Sequence, residues 1–100
     1  MKNIISGLNK IFESRVRLGI MSILMVNEQI DFNSLKELLE VTDGNLASHL
    51  KSLEKFEFIK VKKQFIGRKP QTNYSSTEIG KNAFKRHIDL LEKFLKNIEK

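Results

Sequence analysis

A chain of 100 residues with 40% apolar and 30% charged side chains has room for one compact domain and too little for two. It has no cysteine, which excludes disulfides, thiolate zinc sites and cysteine nucleophiles, and no run of about eighteen apolar residues to cross a membrane. Met1 to Ser6 lacks the apolar core of a secretion signal, so a cytoplasmic protein is expected, and a formal charge of +6 points to an anionic partner.

Ile4, Ile5, Leu8, Ile11 and Phe12 recur at helical spacing and predict a first short helix. Ser14 is placed to cap a second helix. Its Val16, Leu18, Ile20, Met21, Ile23, Leu24, Met25 and Val26 leave little polar face, which predicts a place at the centre of the fold. Gln29 to Phe32 reads as a minimal edge strand. Leu35, Leu38 and Leu39 mark a third helix, with Ser34 and Glu37 as its expected capping box. Thr42-Asp43-Gly44 interrupts the pattern, and Thr42 or Asp43 can cap a fourth helix carrying Leu46, Leu50 and Leu53. Ile59 to Ile66 begins as apolar/polar alternation, Gly67 to Gln71 reads as a turn around Pro70, and Thr72 to Ser76 returns as a second strand. Thr77 opens a last helix that runs to about Glu99. The expected fold is mainly α with a small β-hairpin, a winged helix-turn-helix in the order α-α-(β)-α-α-β-β-α, spanning 1–100 as one domain.

The helix pair from Asn33 to Phe56 carries the functional reading. The second helix of such a pair enters the major groove, so it needs one anchored apolar face and an opposite face of short or hydrogen-bonding side chains. At about 3.6 residues per turn, Leu46, Leu50 and Leu53 share one face. Thr42 and Asp43 start the helix, and Gly44, Asn45, Ser48, Lys51, Ser52 and Lys55 lie on the polar side. Asn45 can pair with an adenine edge, and Lys51 and Lys55 suit phosphates. His49 flanks this face or hydrogen-bonds locally. Lys62, Lys63, Arg68 and Lys69 make the following hairpin basic, and no acid lies between Lys60 and Ser76. Arg15 and Arg17 are candidate phosphate contacts, with structural salt bridges as the alternative.

Leu35 to Glu54, with its Thr42-Asp43-Gly44-Asn45-Leu46 run, resembles the helix-turn-helix of small MarR/ArsR-like winged-helix transcriptional regulators. Gly67-Arg68-Lys69-Pro70-Gln71-Thr72, Tyr74 and Ser76 to Lys81 are similar to the wing and exit of the same family. The resemblance covers Arg15 onward and implies a dimeric DNA-binding regulator, with recognition from Thr42 to Ser52 and a wing centred on Arg68 and Lys69. The cysteine pairs of its metal-sensing branch are absent here.

In the last helix, Phe84, Ile88, Leu91, Leu95 and Ile98 follow the spacing of a coiled-coil seam, with Ala83, Leu90 and Phe94 beside it. One stripe is expected to dock on the domain and the other to meet a second copy, joined by Ile4, Ile5 and Leu8. A homodimer would set two recognition helices about 34–36 Å apart on a palindromic double-stranded DNA operator. His87, Asp89 and Glu92 are read as solvated, and no metal, cofactor or catalytic set is expected. Two other readings stay open: a protein-interaction module whose basic hairpin only solubilises it, and an architectural protein without sequence preference.

Overall fold

The computed structural model describes residues 4–97, so the expectation for Ile98 lies outside the described residues. Its first element differs from the expected helix: the chain makes two 3-10 turns, Ile4–Gly7 and Lys10–Glu13. Asn9 separates them in an extended conformation, and its side-chain oxygen accepts the Ile11 N–H at 2.9 Å. That local bond restarts the chain, and two tight turns present the same apolar spacing as one helix.

Helix α1, Arg15–Met25, is capped by Ser14 as expected, Oγ accepting the Arg17 N–H at 3.2 Å. Its Ile20, Met21 and Leu24 are fully enclosed. Strand β1, Ile30–Asp31, leads directly into α2, Phe32–Leu39. The cap of α2 is Asp31 rather than Ser34: its carboxylate accepts the Ser34 N–H at 3.1 Å and the Ser34 hydroxyl at 2.6 Å. The Ser34 hydroxyl bond, before all else, holds the Asp31 carboxyl below its ordinary pKa. Glu40 closes α2 in the left-handed region at φ 52°, and Thr42 caps α3, Asp43–Lys55, through the Asn45 N–H at 3.2 Å.

Strands β2, Ile59–Ile66, and β3, Lys69–Ser76, form the wing, and β1 adds to β3 to give an antiparallel sheet in the order β1-β3-β2. The expected five-residue turn shrinks to Gly67-Arg68, with Ile66 opposite Lys69. Gly67 takes φ 66° at the first central position, which two-residue hairpins of right-handed twist require there. Pro70 is therefore a strand residue, paired with Phe65. The pair next to a two-residue loop exchanges hydrogen bonds, so the following pair does not, and the missing Pro70 N–H leaves no ladder bond unmade.

Helix α4, Glu78–Asn97, is docked at its start. Thr77 Oγ1 accepts the Gly80 N–H at 3.0 Å and donates to the Glu57 carbonyl at 2.6 Å. Gly80 lies so close to the β2 entrance that a Cβ there would collide with the Phe58 carbonyl oxygen. Around Phe12 the N-terminal turns, β2 and α4 converge, its ring 5.6 Å from Phe58, 5.3 Å from Phe84 and 5.2 Å from His87. Gly80→Ala is expected to lower unfolding stability by about 1–3 kcal/mol through overpacking against backbone that cannot retreat. A denaturant midpoint equal to that of the unaltered protein would show that this junction is looser than the close approach of Gly80 implies.

Candidate nucleic-acid interface

The rotation of α3 follows from Leu46, Leu50 and Leu53, which are 0%, 3% and 0% exposed. With that stripe inward, Thr42, Asp43, Gly44, Asn45, Ser48, Lys51 and Lys55 are exposed and His49 and Ser52 half-buried. The structure therefore brings the expected recognition residues to one surface. An ideal Cβ at Gly44 would meet nothing within 4 Å, so the helix start is open to an approaching surface.

The two flanks of α3 differ. Ala47, Lys51 and Glu54 share a cleft with Val61, Lys63, Thr72 and Tyr74, and so face the wing. Asn45, His49 and Ser52 lie on the opposite flank, toward α1. The period-2 alternation of β2 also separates two residues that the sequence groups together. Lys63 points to the α3 side of the wing, whereas Lys62 shares the far side with Asn73 and Ser75. Arg68 and Lys69 are exposed at the tip, beside exposed Phe65 and Ile66. These two apolar side chains were not singled out from the sequence. The signal was present where the alternation of β2 lapses into two adjacent large apolar residues.

Asp43 would place a negative charge at the start of α3. Lys36 of α2 pairs with it at 2.7 Å, which ties the two helices across the turn and offsets the charge. Arg15 is exposed, but Arg17 is engaged internally. Its Nε–H donates to the Ile11 carbonyl at 2.7 Å, and a terminal nitrogen lies 3.1 Å from His49 Nδ1. Arg17 thus pairs internally with a carbonyl and an imidazole, and not through the expected alternative of a salt bridge.

On helix α4 the line Ala83, His87, Leu90 and Phe94 is buried or half-buried, while Ile88 and Leu95 of the other line are exposed. Phe84 belongs to the core, so its expected place in an interface is corrected: it packs edge-on against Phe12. Further on, Leu90 faces Gly7 of the N-terminal turns. In the same distal part of the helix, Ile88 is 40% and Leu95 65% exposed, with Leu91 and Phe94 half-buried. Ile5 is exposed and Leu8 half-buried near this half of the helix, while the side chain of Ile4 lies outside the described residues.

His87 is also corrected. It is 5% exposed, not solvated, and its Nδ1 accepts the Asn9 N–H at 3.1 Å. Burial lowers its pKa, against a smaller opposing effect of Glu13. Burial also lowers that of His49, helped by the neighbouring Arg17 charge. Among the described residues no group of three or more His, Cys, Asp or Glu could hold a metal ion, and no helix is long and apolar enough to cross a membrane.

A capped helix pair, an outward polar face on the second helix and an adjoining basic hairpin define a winged helix-turn-helix. Residues 16–95 match the family model of the winged helix DNA-binding domain, and the chain belongs to that family. The uncharacterized protein MJ0432 of Methanocaldococcus jannaschii is 44% identical over 90 residues, covering 90% of this chain and 98% of that protein. A transcriptional regulator homologue from Pyrococcus horikoshii OT3 superposes with a TM-score of 0.83 at 31% identity, covering 90% of this chain and 89% of its own. A MarR-family structure from Porphyromonas gingivalis W83 has a TM-score of 0.69 at 25% identity, covering 90% and 86%. The DNA-bound structure of reduced AbfR shares the fold, with a TM-score of 0.66 at 18% identity over 96% of this chain and 80% of that one.

Stability should fall on acidification. Both histidines have folded-state pKa values below the ordinary 6.5, so above pH 6.5 neither the folded nor the unfolded chain carries these protons. Below it the unfolded chain takes up protons that the folded one resists, until the folded pKa values are passed. Urea midpoints should therefore drop between about pH 7.5 and 5, and His87→Gln should flatten that dependence. Thr42→Ala should cost about 1 kcal/mol by the same measurement, through removal of the α3 cap.

Proposed function

We propose that this DNA-binding regulator recognises a specific double-stranded sequence as a homodimer, lays α3 in the major groove and represses by occluding a promoter. The observation that carries this reading is the shared surface of α3 and the wing. The leucine stripe turns Asn45, Ser48 and Lys51 outward, and Lys63 of the basic wing shares a cleft with Lys51 on one flank of that helix. Asn45 and Ser48 are assigned to base edges, and Lys51, Lys55, Lys63, Arg68, Lys69 and Arg15 to phosphates or the minor groove. Lys62, on the far side of the wing, can reach DNA only if the duplex wraps around it.

The distal half of α4 supports the dimer. Ile88 and Leu95 are exposed and Leu91 half-buried, and a second copy would cover them together with Ile5 and Leu8. The protein acts by binding, in the cytoplasm, with no cofactor or catalytic step assigned to it.

Selection from a randomised duplex library at about 150 mM salt should enrich a palindrome with half-sites about one turn apart. Retention without enrichment would mean an architectural protein, and no retention a protein-interaction module. Neutralising Arg68 or Lys69 should weaken binding to all sequences and reduce the salt slope by about 0.9 for each phosphate that is no longer neutralised. Asn45→Ala or Ser48→Ala should instead change base preference, by about 1–3 kcal/mol at the recognised position. Leu95→Glu should convert a dimer to a monomer in sedimentation. A dimer that persists would move the interface elsewhere.

A further inference from the structure

We propose that Arg17 is a positioning residue for DNA recognition: it holds His49 as the neutral Nε2–H tautomer, and His49 presents that hydrogen to an acceptor on the duplex. The inference rests on the DNA-binding reading and assigns roles to two residues of that site.

A guanidinium has only donors, so the imidazole nitrogen it faces must carry a lone pair. Arg17 lies 3.1 Å from His49 Nδ1, which places the single hydrogen of the neutral ring on Nε2. Among the described residues Nε2 has no hydrogen-bond partner, and no buried side-chain nitrogen or oxygen is left unsatisfied. Nε2 therefore opens to solvent. It does so on the flank of α3 that carries Asn45 one turn before it and Ser52 three residues after it.

The guanidinium is itself immobilised. Its Nε–H is held by the Ile11 carbonyl at 2.7 Å, so the ring takes its orientation from α1 and the turn Lys10–Glu13 together. The fixed positive charge also disfavours a second proton on the ring. His49 then offers direction without charge, as needed for reading an acceptor such as a purine N7 in the major groove. Arg17, though cationic and on the first turn of α1, commits its Nε–H and one terminal N–H inside the protein, two of its five donors. A phosphate contact would draw on the remaining terminal N–H groups and would appear in the salt dependence.

Long-range proton–nitrogen NMR of the His49 ring in the unaltered protein should show hydrogen on Nε2 and a bare Nδ1. Hydrogen on Nδ1 would overturn the proposal. On the selected duplex, Arg17→Met and His49→Ala should each weaken affinity about five- to tenfold, the scale of one hydrogen bond. The double variant should bind no more weakly than either one. The salt slope of Arg17→Met should match the unaltered protein, because Arg17 neutralises no phosphate. A slope lower by about 0.9, or additive effects in the double variant, would make Arg17 a phosphate ligand instead. Arg17→Lys, which retains a donor, should keep most of the affinity and serves where Arg17→Met fails to fold. If His49 reads a base, His49→Ala relaxes preference at one position; a phosphate acceptor gives a uniform weakening. Absence of duplex binding by the unaltered protein would defeat the DNA-binding reading itself, while the ring spectrum still reported the Arg17 pairing.

Discussion

Burial of Leu46, Leu50 and Leu53 decides the rotation of α3, and nearly everything on the interface depends on that rotation. Each enclosed leucine contributes about 1.5–3 kcal/mol relative to exposure, so turning the helix by one residue would forfeit several kcal/mol. With the stripe seated, Asn45, Ser48, Lys51 and Lys55 have nowhere to point but outward. Thr42 then sets where the helix begins, beside the exposed Lys36–Asp43 pair between α2 and α3.

A second constraint acts at the opposite end of the sheet. The chain must leave the wing, turn past Phe58 and enter α4 within a few residues. Thr77 resolves this by capping α4 while donating to Glu57, and Gly80 leaves room for the Phe58 carbonyl. The aromatic group around Phe12 then locks the N-terminal turns against both elements. Through Ile11 and Arg17 the same segment reaches His49, so N-terminal packing and the α3 surface are joined by a short chain of direct contacts.

Some polar side chains are spent on geometry, among them Thr42, Asp43 and Ser52 at α3 and Gln64, Gln71 and Asn73 in the wing, and others are exposed. Arg17 and His87 look like surface residues by type, yet each satisfies a backbone group outside its own helix. Asn45, Ser48, Arg68 and Lys69 face solvent. That division separates the residues that build the interface from those available to a ligand.

The sequence by itself determined the order of the elements from α1 onward, the cap at Ser14, the leucine stripe and the basic hairpin, because each rests on contacts within a few residues. Local periodicity also misled where it was degenerate: the spacing of Ile4 to Phe12 fits two 3-10 turns as well as one helix, and Asp31 precedes the Ser34 expected to cap α2. Only the tertiary structure decided what long-range contacts decide. The register of β2 on β3 shortened the turn to two residues and put Lys62 and Lys63 on opposite faces. The face on which α4 docks took Phe84 and His87 into the core and left Ile88 and Leu95 exposed. The Arg17–His49 contact joins residues 32 positions apart, and no helical or strand period encodes such a pairing.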